Sequence, residues 1–237
     1  MTSTPAAARY AIYYAPAAGS PWWRFGCEWL GRDAATGADE AQPDVRWLTA
    51  VDVARITNHP RRYGFHATLK APFRLGDAAS LDLLLARVQS LAATLAPLPL
   101  GMLVPVLMDG FVALVPARLN GALGALAQAC VTQLDDLRAP LSPADLARRE
   151  APQLDPRGRE LLECFGYPHV AERFRFHLSL TGPVDTATAG RVVGHVAHTV
   201  ARLNLQAAPV LDRLCVFVQA GPDQPFQRLA DFILGTK

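Results

Sequence analysis

One eight-residue pattern occurs twice in this chain and constrains it more than any bulk property. Phe65-His66-Ala67-Thr68-Leu69-Lys70-Ala71-Pro72 and Phe176-His177-Leu178-Ser179-Leu180-Thr181-Gly182-Pro183 both read F-H-x-[S/T]-L-x-x-P, with the second histidine 111 residues after the first. A single H-x-[S/T]-L string arises by chance in about one chain in fifteen of this length, and alone it would be read as an ordinary sheet histidine. Two copies that share the preceding Phe and the following Pro argue for one site built from two equivalent segments.

The surroundings of the two copies repeat as well. A motif strand at 62–70 is followed by a helix that Asp77 or Ser80 caps and that runs to about Leu95, with Leu81, Leu84, Leu85, Val88, Leu91 and Leu95 on one stripe. Strands at 98–107 and 111–116 follow, turned by Asp109-Gly110. A second motif strand at 172–181 precedes a helix at 186–203 and strands at 207–219 and 225–233. Strand, helix, strand, strand thus occurs twice, over pseudo-repeats at about 60–137 and 170–237. The expected fold is α+β, with two antiparallel sheets and flanking helices in a single pseudo-two-fold, bilobal domain spanning 1–237.

Outside the repeats, Arg9 to Ala15 reads as a strand, and Ser20-Pro21 opens a helix from Trp22 to Leu30 that Gly31 ends. Thr49 to Asn58 reads as a short helix stopped by Pro60, and Leu119 to Leu137 as a long amphipathic one. Residues 138–160, with four prolines and many charges, read as an irregular connection carrying short helical pieces. A helix at 157–165 ends at Gly166.

Side chains alternate along a strand, so His66 and Thr68 share one face and His177 and Ser179 share another. Extending the alternation adds Lys70 to the first face, and Arg175 and Thr181 to the second. The expected inventory is two imidazoles, three hydroxyls and two cations, with no carboxylate. Cations and hydroxyls hold phosphate oxygens, and imidazoles exchange protons near neutrality. Two imidazoles on opposite sides of a phosphodiester can act as base and acid in one in-line displacement, while Thr68 and Ser179 stabilise the non-bridging oxygens. That chemistry needs no cofactor and no metal, and neither motif holds the Asp or Glu that a two-metal hydrolase requires. Which histidine is base and which acid is left open by the symmetry.

The paired H-x-[S/T]-x motifs resemble those of the two-histidine (2H) phosphoesterase superfamily, which includes 2′,5′ RNA ligase-like proteins and cyclic nucleotide phosphodiesterases. More narrowly, Arg9-Tyr10-Ala11-Ile12-Tyr13-Tyr14-Ala15-Pro16, Trp29-Leu30-Gly31-Arg32-Asp33, Arg62-Tyr63-Gly64-Phe65-His66 and Phe174-Arg175-Phe176-His177 resemble a phosphonate-metabolism branch often associated with carbon–phosphorus lyase genes. The resemblance covers essentially the whole chain. It implies a bilobal α+β fold around a central cleft, His66 and His177 as catalytic residues, and Thr68 and Ser179 as phosphate-binding ones. The implied substrate is a small phosphorylated ribose or nucleotide carrying a cyclic phosphodiester.

Arg175 and Lys70 are further candidate phosphate contacts. Tyr63 should face away from His66 and pack. Tyr10, Ile12 and Tyr14 share a face of the first strand, with Tyr13 on the other, and core packing is the reading for them. Arg32 and Asp33 are loop residues that could close over a ligand. His195 and His198 sit at i, i+3 on a helix, but no carboxylate or Cys completes a metal set. Arg61, Arg62, Arg173 and Arg175 would make the strand mouths basic enough to steer a small anion.

Composition limits the alternatives. The chain has 237 residues, 51% hydrophobic and 19% charged, with a formal net charge of +2. This suits a soluble protein and lacks the field of a general nucleic-acid binder. RNA ends are therefore a disfavoured substrate, and a non-catalytic phosphate-ligand sensor is the other alternative. No stretch approaches a membrane span, and Cys27, Cys130, Cys164 and Cys215 lack C-x-x-C spacing, so the chain reads as cytoplasmic with four buried thiols.

Overall fold

The computed structural model describes residues 8–118, 120–149 and 154–235. In chain order the main elements are β1 (Arg9–Tyr14), α1 (Pro21–Leu30), α2 (Ala50–Arg61), β2 (Ala67–Phe73), α3 (Leu81–Thr94), β3 (Leu98–Pro99), β4 (Leu103–Met108) and β5 (Phe111–Pro116). The chain continues through α4 (Gly121–Thr132), α5 (Pro143–Arg149), α6 (Pro156–Phe165), β6 (Leu178–Ser179), α7 (Thr186–Gln206), β7 (Val210–Leu211), β8 (Arg213–Gln219) and β9 (Gln227–Ile233). All sheet pairing is antiparallel, in a four-stranded sheet of order β2-β1-β8-β9, a three-stranded sheet β4-β5-β6 and a two-stranded β3-β7. The fold is mixed α+β, and the short β3-β7 pair is a third sheet beyond the two expected.

Local chemistry sets the helix ends. Ser20 accepts from the Trp23 N–H with Pro21 at the first turn, and Gly31 closes α1 in the left-handed region. Thr49 and Ser80 cap α2 and α3 in the same way. α2 runs to Arg61, three residues past the expected end at Asn58, with Pro60 inside its last turn; the Ile56 carbonyl, four residues before Pro60, accepts from Gly182 N instead. The expected helix over 119–137, whose first residue lies outside the described residues, is α4 followed by a 3-10 turn at Asp135–Leu137.

The motif strands are edge strands of different sheets. β2 borders β1, and β6 borders β5. The hairpin in each sheet comes from the other repeat: β8-β9 lies in the sheet of the first motif, β4-β5 in that of the second. Each helix stays with its motif strand, α3 packing on β8 and β9, and α7 on β4 and β5. One face of β1 (Tyr10, Ile12, Tyr14) enters the main core with Leu84, Val88 and Leu91 of α3. The other face (Ala11, Tyr13) packs with Trp23, Cys27, Phe217 and Phe226.

Two hydrogen bonds tie the segment after β6 to the helices before β2. Trp29 Nε1 donates to Leu180 O at 2.8 Å, and Gly182 N donates to Ile56 O at 2.7 Å. Phe65 is buried against α1 so closely that a Cβ on Gly26 would lie 2.0 Å from its ring. Cys27, Cys130 and Cys215 are buried as expected, whereas Cys164 is exposed on α6. Among the described residues no helix is long and apolar enough to cross a membrane.

The alternation expected of both motif strands breaks four residues after each histidine. Tyr13 lies opposite Thr68, but Ile12 lies opposite Lys70, so Leu69 is an extra residue in β2. Directly opposed residues share a face, and Lys70 therefore joins Ile12 on the core side. Its ammonium is buried, donating to Asp135 Oδ1 at 2.8 Å and to Val131 O at 3.1 Å. In the second copy, Leu180 N and Thr181 N both donate to Val112 O, and the Thr181 hydroxyl accepts from Val112 N at 2.9 Å. Lys70 and Thr181 are thus structural, a correction to the expected polar faces.

Removing Asp135 strands the buried Lys70 ammonium, whereas removing Lys70 leaves Asp135 paired with Arg138. Asp135→Ala should therefore cost about 3 kcal/mol, and Lys70→Met only on the order of 1 kcal/mol. Urea unfolding measures both, and a Lys70→Met variant of unchanged stability would contradict this placement.

Candidate active site

His66 directly precedes β2, and His177 directly precedes β6. Each imidazole is held by the same device. His66 Nδ1 donates to Gly64 O at 2.8 Å, and His177 Nδ1 donates to Arg175 O at 2.8 Å. A carbonyl only accepts, so Nδ1 carries the proton in both rings and Nε2 is left for chemistry. Thr68 Oγ1 lies 3.3 Å from His66 Nε2.

Gly64 makes the first lock. Its φ is +80°, and a Cβ there would lie 2.6 Å from Ala34 Cβ, so only glycine fits. This same residue defeats the alternation expected across 62–66. Tyr63 consequently turns toward His66, with ring centroids 6.2 Å apart, and stacks on Phe226 at 5.2 Å.

Both histidines line one cavity of about 290 Å³, together with Thr68 and Ser179. The four motif residues singled out from sequence therefore meet across the ends of two sheets. The same wall includes Arg9, Tyr13, His59, Tyr63, Arg149 and Tyr167 and, among the described residues, no Asp or Glu. Sequence reasoning missed Arg149, which lies on α5 within the stretch read as a connection. Its guanidinium donates to Pro72 O at 2.7 Å and to Gly166 O. Arg9 donates to Gln219 Oε1 at 2.7 Å. Among the described residues no group of three or more His, Cys, Asp or Glu is placed to hold a metal ion.

A second cavity of about 170 Å³ adjoins the first and shares Thr68, Ala71, Tyr167 and His177 with it. Arg175 lines this second space and pairs with Asp109 of the β4-β5 turn. Lys70 lines neither. Arg61 pairs with Asp39 and Arg173 with Asp155, while Arg62 donates to Pro222 O, so these arginines have local partners. Arg32 is buried, donating to Phe226 O at 2.9 Å, and Asp33 accepts from Trp23 Nε1 at 3.2 Å. Both are structural rather than a closing loop.

The environments of the two imidazoles differ. Tyr13 stacks on His66 with centroids 3.7 Å apart and planes 23° apart, and Phe217 is 6.2 Å away. Burial pushes the His66 pKa down from 6.5 to about 4, against the opposing bond to Gly64 O. His177 has Phe111 at 5.5 Å. Burial also lowers its pKa, opposed by the bond to Arg175 O, and the guanidinium of Arg175 lowers it further.

With this geometry in view, comparison with known proteins identifies the family. The chain belongs to the family described as "Protein of unknown function (DUF1045)", whose model matches residues 68–227. It is 37% identical over 235 residues to a protein of Janthinobacterium sp. (strain Marseille) named "Ribose 1,5-bisphosphate phosphokinase PhnN", covering 94% of this chain and 50% of that one. A protein of the same name from Laribacter hongkongensis (strain HLHK9) is 39% identical over 178 residues, covering 75% of this chain and 40% of the relative. The chain spans about half the length, or less, of these relatives.

A histidine kept neutral by folding makes stability depend on pH. Between pH 6.5 and about 4 the unfolded chain binds a proton that folded His66 does not. Its contribution is therefore intact above pH 6.5 and is lost progressively as pH falls toward 4. Denaturant unfolding across this window should give a shallower decline for His66→Asn than for the parent protein. Equal slopes would contradict a neutral His66.

Proposed function

We propose that the protein is a two-histidine phosphoesterase that hydrolyses a cyclic phosphodiester on a small phosphorylated ribose or nucleotide, without a metal. The observation that carries this reading is the matched pair of imidazoles, each locked through Nδ1 to the carbonyl two residues before it and lining one cavity with Thr68 and Ser179. It also supports reading the molecule as two pseudo-symmetric lobes around a central cleft, and the motifs as those of the 2H phosphoesterases.

In the proposed reaction a water oxygen bonds to phosphorus in line with the departing ribose oxygen. One Nε2 takes the water's proton, and the other, carrying a proton, gives it to the oxygen whose bond to phosphorus breaks. Thr68 and Ser179 donate hydrogen bonds from their hydroxyls to the non-bridging oxygens, where charge accumulates. Arg9 and Arg149 lend positive charge to the same cavity. Arg175 is proposed as a contact for an anionic part of the substrate in the adjoining space, while Lys70 is withdrawn from the site.

The relatives' name supports a ribose phosphate as the substrate class, and together with the phosphonate-branch resemblance it supports a role in phosphonate breakdown. That name also specifies a phosphokinase. The full sequence contains no G-x-x-x-x-G-K-[S/T] string, the loop that would cradle nucleotide phosphates. We therefore assign the named kinase activity to the part of those relatives that this chain does not span.

His66→Ala or His177→Ala should lower turnover of 2′,3′-cyclic nucleotides or ribose cyclic phosphates by about 10²–10⁴-fold with folding intact. EDTA should leave the parent activity unchanged. Full activity in either single variant, or abolition by EDTA, would contradict the proposal.

A further inference from the structure

The bond from Nδ1 to a carbonyl pins one edge of each imidazole but does not by itself fix the plane of the ring. Rotation about the last side-chain bond of histidine is broad rather than staggered. At His66 a second contact supplies what is missing. Tyr13 stacks on the imidazole with centroids 3.7 Å apart and planes 23° apart. At His177 the neighbouring ring of Phe111 is tilted instead, at 5.5 Å and 57°. The sheet fixes where Tyr13 stands. It lies directly opposite Thr68 in the β1–β2 pairing, and opposed residues share a face, so its ring sits on the side to which Thr68 points. β1 is an interior strand, with β8 on its other side and Cys215 opposite Tyr13. Phe217 at 5.1 Å and Phe226 at 6.3 Å pack against the phenol ring, and Tyr13 as a whole is 1% exposed. In a close-packed surround the ring cannot withdraw, and it meets the imidazole as a fixed wall.

We propose, resting on the phosphoesterase reading above, that Tyr13 is a positioning residue: the face of its ring, not its hydroxyl, holds the His66 plane so that Nε2 stays aimed into the cavity beside Thr68. The hydrogen bond to Gly64 O sets where Nδ1 lies, and the stack sets the tilt of the ring about that point. The 3.3 Å approach of Thr68 Oγ1 to Nε2 is the result. The same phenol ring keeps water off one face of the imidazole, in line with the burial that lowers the His66 pKa to about 4. His177 pushes in the same direction, and the bond to Gly64 O pushes against it. The other titratable or charged groups on the cavity wall are Arg9 of β1, His59 of α2, Tyr63, Arg149 of α5 and Tyr167. Burial raises the Tyr13 pKa well above 10, so the phenol stays uncharged and acts through its shape.

Proton NMR and turnover of 2′,3′-cyclic AMP by the parent, Tyr13→Phe and Tyr13→Leu proteins separate the ring from the hydroxyl. In the parent the carbon-bound ring protons of His66, assigned by their loss in His66→Asn, should lie upfield through the Tyr13 ring current. Ordinary histidine shifts there overturn the stack. Tyr13→Leu should lower kcat about tenfold or more while KM stays within about twofold, and Tyr13→Phe should restore kcat to within about threefold of the parent. The His66 titration midpoint, read from the same protons, should rise from about 4 to about 5 or above in Tyr13→Leu and stay at about 4 in Tyr13→Phe. Thermal melts confirm folding, and Tyr13→Met replaces Tyr13→Leu if that protein fails to fold. If neither folds, the parent shifts and the Tyr13→Phe turnover decide. A Tyr13→Phe protein slowed about tenfold or more gives the role to the hydroxyl and overturns the proposal, as does a Tyr13→Leu protein with parental kcat and midpoint. A parent without turnover overturns the phosphoesterase reading, and the shifts and midpoints then decide whether Tyr13 holds the ring.

Discussion

Two edge strands from different sheets have to present their polar ends to one cavity, and everything else in the site depends on that alignment. Three contacts hold it: Trp29 Nε1 on Leu180 O, Gly182 N on Ile56 O, and the Phe65 ring against the side-chain-free surface of Gly26. The first two bind α1 and α2, which precede the first motif, to the backbone that follows the second. The third seats α1 on the first motif. Each donor and acceptor is a backbone group or a buried indole, whose loss would leave an unsatisfied polar atom, so the alignment is stiff. The hairpin exchange adds to this, since each motif strand is paired within a sheet completed by the other repeat.

Within that frame, repetition and asymmetry do different work. The repeated part is the backbone lock on Nδ1, which orients both rings and leaves both Nε2 atoms for proton transfer. The asymmetric part is the surroundings, aromatic and close-packed at His66, and open to a second cavity with arginines and an aspartate at His177. A low-polarity surround disfavours a charged imidazole unless an anion arrives to balance it. On the proposed reading, binding of an anionic substrate and readiness for proton transfer are in this way linked.

What the sequence made legible was local. The motif spacing singled out His66, Thr68, His177 and Ser179, which line one cavity, the Asp109-Gly110 turn located a hairpin, and Ser20 and Gly31 bounded α1. Strand alternation carried the reading only two residues past each histidine. Beyond that, the extra residue at Leu69 and the shared acceptor Val112 O rotated Lys70 and Thr181 into structural places. A period-two pattern contains no mark of a bulge, so such an inversion is invisible in one sequence. Gly64 did carry a signal, since a glycine just before a strand can reverse the chain, and reading it would have kept Tyr63 in the site. Tyr13, Arg149 and Tyr167 reach the cavity from distant segments by tertiary packing, and no short spacing announces them.

The relatives that share this chain's sequence are roughly twice as long and named for a ribose bisphosphate kinase, so hydrolysis and phosphorylation are the two chemistries to separate. The most direct measurement is phosphorus NMR of the purified protein with ribose cyclic phosphates and 2′,3′-cyclic nucleotides in ¹⁸O-water containing EDTA. The account predicts a phosphomonoester carrying one ¹⁸O from solvent, formed without ATP and absent with the His66→Ala/His177→Ala double variant. No product from the parent protein, or product formed equally by the double variant, would contradict it.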